Sequence, residues 1–195
     1  SDGQDGSSAG IYAQRYAANG NPAGLEFRVN TYTTSDQFDP SVAVLADGKF
    51  VVVWTSTNQD GSSYGVFGQR YDGSGNALGD EFRISTVTSG NQYEASVTAL
   101  SHGGFAVAYN DSSRTYLQQF DASGRQLDHA TRIDTIDANN NASNPFVLGL
   151  DNGGLVVAWQ DYDYSTSTYN IYQQVMGQPA DFVRQRPDIR AAEAN

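Results

Sequence analysis

The chain has 195 residues and no cysteine, and its 22 acidic against 11 basic residues give a net charge of −11. Disulfides, thiolate metal sites and a cysteine nucleophile are thereby excluded, and a nucleic-acid backbone or an anionic membrane is a disfavoured partner. No apolar run of 18 residues occurs, so membrane insertion is not expected, while the length suffices for one buried core.

The chain opens at Ser1 in a polar segment without an initiator Met, which reads as a processed or excised piece of something longer. Residues 1–9, SDGQDGSSA, match the later NQDGSSY at Asn58–Tyr64, so the chain begins part-way through a repeat. Ile11–Tyr16 then copies Val66–Tyr71, and Glu26–Thr31 copies Glu81–Thr86.

The fullest copy runs from Asp39 to Thr86. Ser41–Leu45 and Lys49–Thr55 are short apolar runs, rich in Val and closed by turn residues, and they predict strands A and B. Tyr64–Asp72 and Asp80–Thr86 alternate in character and predict strands C and D, joined through Gly73–Asn76. A third copy begins at Glu94 with its B–C connection cut to Asn110–Arg114, and a fourth begins at Asn144 and stops after strand C. Repeat boundaries fall at 1–38, 39–93, 94–143 and 144–176. Beyond them, 177–195 is a non-repeat tail in which Pro187–Ala194 predicts a short helix.

Successive strand-B aromatics, Trp54, Tyr109 and Trp159, are spaced by 55 and 50 residues. Units of about that length, each a four-stranded antiparallel meander with its most apolar strand second, predict an all-β, propeller-like fold. The alternative is a threefold β-trefoil or β-prism. A strand count of two, four, four and three falls short of a closed ring, which predicts self-association or packing against neighbouring repeats.

The segments GIYAQRY, GLEFRVNT, PSVAVLADGKFVVVW and QDGSSYGVFGQRYD resemble tandem units of large secreted bacterial adhesins and surface proteins of the repeats-in-toxin type, over about residues 2–176. The resemblance implies an extracellular or cell-surface, non-enzymatic module. The glycine-rich nonapeptide calcium repeats that often accompany such proteins are missing here, so it brings no calcium site with it.

Two kinds of site suggest themselves. Asp2, Asp5, Asn58, Asp60, Asp161 and Asp163 fall at comparable places in three copies, where closely spaced oxygens on a glycine-bearing loop can converge on Ca²⁺. The structural alternative is that Asp, Asn and Gly are what tight turns use. Tyr64, Tyr162, Tyr164 and Tyr169, on or beside B–C loops, offer stacking faces for a glycan or other surface ligand. Trp54, Trp159, Tyr16 and Tyr71 are assigned to the core instead. Gln14, Gln69, Gln118 and Gln174 recur in strand C and predict a repeated packing role. Arg28, Arg83 and Arg132 recur in strand D, with Glu26 and Glu81 two residues before the first two, and ordinary cross-strand charge pairing accounts for them. His102 and His129 sit at unrelated positions with no nucleophile beside them, so catalysis has little support, and polysaccharide hydrolysis by a carboxylate pair is the third reading.

Overall fold

In a computed structural model, residue 6 and residues 8–134 and 140–177 are described. The predicted tail helix lies outside them, as do Asp2 and Asp5. The described chain is all strand and turn. It comprises β1 (Tyr12–Ala13), β2 (Phe27–Arg28), β3 (Gln37–Val44), β4 (Phe50–Thr57), β5 (Tyr64–Tyr71), β6 (Phe82–Arg83) and β7 (Gln92–Ala99). It continues with β8 (Phe105–Asp111), β9 (Arg114–Phe120), β10 (Thr131–Arg132), β11 (Asn140–Gly149), β12 (Leu155–Asp163) and β13 (Thr168–Met176).

These form four antiparallel sheets, β1-β2, β3-β4-β5-β6, β7-β8-β9-β10 and β11-β12-β13, each a meander in chain order. The predicted strand count holds sheet by sheet, and face-to-face stacking of consecutive meanders is the propeller-like arrangement rather than a trefoil or prism. We refer to the sheets as the first to fourth blades. Two boundaries differ from the sequence expectation. Strand D shrinks to two residues in each copy, because turn residues flank it. Strand A starts four residues early at Gln37, beyond a register shift between Phe38 and Ser41 where Asp39 takes a positive φ.

The period-2 pattern of strand B decides the stacking, because both of its faces are buried. Val52 and Trp54 of β4 pack with Ile11 and Val29 of the first blade, whereas Val51 and Val53 pack toward Phe105, Val107 and Tyr109 of the third. Ala106 and Ala108 turn the other way, toward Val147, Val157 and Trp159 of the fourth. Each seam thus has an aromatic-bearing strand-B face on one blade and smaller residues on its neighbour. Cross-strand ring pairs repeat in register: Phe105 stacks on Phe120 at 4.6 Å, Phe50 on Tyr71 at 5.0 Å and Trp159 on Tyr172 at 6.1 Å.

Polar latches cross the seams at repeating positions. The Ser41 hydroxyl accepts from Val97 N at 3.2 Å, and the Ser96 hydroxyl accepts from Val147 N at 3.2 Å. Arg15 and Arg70 each reach the C–D turn of the following blade, donating to Gly73 O at 2.7 Å and Ala122 O at 3.1 Å. Gly149 permits the closest approach, since a Cβ there would lie 2.3 Å from Ala99 O.

The recurring glutamines are clamps within a blade. Nε2 of Gln14, Gln69 and Gln118 donates to the carbonyl of the next residue and to the carbonyl ten residues on, Gly24, Gly79 and Asp128 respectively. A single side chain thereby ties strand C to the start of strand D. Tyr16 departs from its expected core position and is 65% exposed, although its repeat partners Tyr71 and Phe120 are buried. Those two pack against the preceding blade, and none of the described residues precedes the first.

Candidate functional site

In each meander the B–C loops and the D–A connections share one end, while the A–B and C–D turns share the other. The C–D and A–B turns are closed by aspartates used as turn caps. Asp72 Oδ1 accepts from Ser74 N and Asn76 N at 2.8 and 2.9 Å, and Asp121 Oδ1 repeats this with Ser123 N and Arg125 N. The Asn76 and Ser123 side chains hold these two carboxyls below their usual range, so both stay ionised.

The B–C end is more varied. In the fourth blade, β12 and β13 extend to the pair Asp163↔Thr168, and Tyr162 stands opposite Tyr169. The Tyr162 ring lies 4.8 Å from Tyr164, edge-on at 87°, and 4.8 Å from Tyr169, tilted at 54°. Tyr164 and Tyr169 are 62% and 65% exposed, so three rings form a wet aromatic platform at the loop tip. Asp163 fixes the turn beneath it, accepting from Ser165 N at 2.8 Å and Ser165 Oγ at 2.6 Å, and the Ser165 hydroxyl is the first cause of its lowered pKa. The sequence brought three of its four candidate tyrosines to one place. Tyr64 is elsewhere, edge-on to Phe38 at 5.5 Å in the second blade.

The calcium candidates do not converge. Asp161 is not in a loop: it pairs with Asn170 and Ala142 inside the fourth blade's sheet and is fully buried. Asp163 belongs to the turn just described. Asn58 opens the second blade's loop in the left-handed region, φ 63°, and Asp60 Oδ1 accepts from Ser62 N at 3.0 Å. No three His, Cys, Asp or Glu side chains among the described residues are gathered as a metal would need, and Ca²⁺ asks for about six to eight oxygens.

Other polar groups at this end were missed by sequence reading. Asp39, Glu94 and Asn144 have positive φ of 51°, 55° and 49° at the same place in each strand A, where the register shifts. Glu94 Oε2 receives Asn144 N at 2.7 Å and Asn110 Nδ2 at 2.6 Å, stitching the third blade to the fourth. The spacing of 55 and 50 residues was the available signal. Glu81 is held by neutral partners rather than by a cross-strand cation. Its carboxylate accepts from Thr31 N and Oγ1 at 2.7 and 2.9 Å and from the Gln59 amide, because strand D is too short to hold Glu81 in the ladder.

Neither a family model nor a curated protein sequence matches the chain. Solved structures do. A protein of unknown function from Dyadobacter fermentans aligns with a TM-score of 0.56 at 11% identity, covering 72% of this chain and 51% of that one. An endo-arabinase from Bacteroides thetaiotaomicron aligns with a TM-score of 0.47 at 17% identity, covering 72% and 54%. An α-L-arabinanase from Penicillium chrysogenum, solved with arabinobiose, aligns at 0.48 and 15%, covering 77% and 45%. The chain thus spans about half the length of the structures it matches, and the likeness is one of fold.

Proposed function

We propose that the domain is a non-enzymatic carbohydrate-recognition module of an extracellular or cell-surface protein, engaging glycan through the Tyr162, Tyr164 and Tyr169 platform. One observation carries the reading: three tyrosine rings held together on a braced turn, two of them with most of their surface in water. Aromatic faces of this kind stack on sugar rings, and the phenol hydroxyls bond to sugar hydroxyls at little cost in side-chain entropy. The resemblance to secreted surface repeats supports the extracellular setting and a role in adhesion. Affinity electrophoresis through gels containing soluble polysaccharides tests the proposal. The protein is expected to be retarded by at least one of them, and Tyr164→Ala/Tyr169→Ala to be retarded clearly less; equal retardation of the two sinks the platform.

A structural reading, in which copies join edge to edge, is favoured by a different observation. Phe146, Leu148, Ile171 and Val175 on the fourth blade's outer face, and Val42 and Val44 on the second's, are all 50% exposed or more. Light scattering across a concentration series tests it, with Ile171→Lys expected to abolish any rise in mass. A mass that never rises with concentration removes this reading.

A further inference from the structure

The repeat exposes one position where the second blade is built differently. The second residue after strand D is buried in three copies, as Asn30, Ser85 and Asp134. In the first and third blades its side-chain oxygen caps the start of strand C, Asn30 Oδ1 accepting Ile11 N and Asp134 Oδ1 accepting Thr115 N, both at 2.8 Å. Serine is too short for this. The Ser85 hydroxyl, on a residue 1% exposed, has no hydrogen-bond partner among the described residues. Two further buried acceptors nearby are also unmatched, Asp60 Oδ2 and Gln59 Oε1. Leaving such atoms dry costs about 1–3 kcal/mol each, so something supplies hydrogens to them.

All three residues line a crevice of about 700 Å³ between the second and third blades, whose walls include Phe67 and Phe82 and whose rim carries Arg83 and His129. Asp60 lies over Gly65, where a Cβ would come within 2.9 Å of its Oδ2, so the carboxylate can face the crevice only above a glycine. The volume is within the roughly 300–1,000 Å³ of small-molecule sites.

We infer that this crevice binds the hydroxyl-rich units of a neutral oligosaccharide. Three acceptors side by side call for a ligand with several donors, and a sugar hydroxyl can also accept, which suits Ser85. The phenylalanine walls suit the apolar face of a pyranose or furanose ring. A cation is disfavoured by Arg83 and His129 at the rim and by the single carboxylate, and an anion by Asp60. The inference rests on the carbohydrate class proposed above but not on the tyrosine platform, which lies on another blade.

The test uses the full chain carrying Tyr164→Ala/Tyr169→Ala, so that the platform is removed. Neutral tetrasaccharides built from glucose, xylose, arabinose or galactose are titrated by saturation-transfer NMR. At least one is expected to bind. Adding Ser85→Asn, which restores the cap seen at Asn30 and removes the free hydroxyl from the crevice wall, is expected to weaken binding about tenfold or more while leaving the unfolding midpoint at or above that of the parent. Asp60→Asn keeps the turn bond to Ser62 N and turns the free acceptor into a donor; it is expected to weaken binding similarly. The inference is overturned if no tetrasaccharide binds this background, or if Ser85→Asn binds like the parent. Should Ser85→Asn fail to fold, unchanged binding by Asp60→Asn overturns it. Loss of the platform's polysaccharide retardation in the tyrosine variant is a separate result and leaves this one standing on its own titration.

Discussion

The seams between blades and the two outward faces are built from the same repeat positions, yet only the seams are closed. Val97 and Val147 are 8% and 2% exposed, whereas their repeat partner Val42 is 62% exposed, and Tyr71 and Phe120 are buried where Tyr16 is not. The side chain is the same in each case, or in Phe120 an aromatic ring of like size. Burial is therefore decided by the presence of a neighbouring blade and not by the residue. The fourth blade's outer face departs further, because Phe146 and Leu148 replace the Ser96 and Thr98 whose hydroxyls accept from the next blade's backbone. A seam of the inner kind needs those small hydroxyl residues for its close approach.

The largest expected difference sets Trp159 against Ile171. Trp159→Ala empties a seam position and should cost about 3–5 kcal/mol in chemical denaturation, while Ile171→Ala, on the outward face, should change stability by less than about 0.5 kcal/mol. Equal losses would mean that the outward face is covered in solution.

Alkaline pH sharpens the same contrast. Burial pushes Tyr71 and Tyr109, both in seams, from 10.0 up to about 12. The unfolded chain ionises these groups first, so their contribution is intact below pH 10.0 and is lost as pH rises toward 12, on the order of 2 kcal/mol each. Tyr71→Phe and Tyr109→Phe should flatten the fall in stability measured by denaturation across that window.

Smaller effects follow from the latches. Ser96→Ala leaves the buried Val147 amide unmatched and should cost roughly 1–2 kcal/mol. Arg70→Met removes only the exposed bond to Ala122 O, and a loss of about 0.5 kcal/mol is expected from thermal unfolding. A larger loss for Arg70→Met would show that the rim latch, not the core, aligns the blades.

Much of the fold was legible because it repeats. Alternating Val and aromatic residues in Phe50–Thr57 announce a strand buried on both faces, and copying it at Phe105 and Leu155 announces the blades. The platform was partly legible, since Tyr162, Tyr164 and Tyr169 crowd one loop; that Tyr64 packs on Phe38 depends on a strand remote in sequence. Asp161 misled because Asp is a turn residue by propensity, and only the length of β12 carries it inside a sheet.

The sequence by itself determined the strand order and the number of strands in each copy, because period-2 patterning and turn chemistry are local properties that each copy states again. Only the tertiary structure decided which copies of a position are buried and which are exposed. It also decided that Glu81 turns to Thr31, and that Ser85 leaves unmade the strand-C cap that Asn30 and Asp134 make. These depend on side-chain reach and on what stands across a seam, and neither quantity is written in the residues of a single strand.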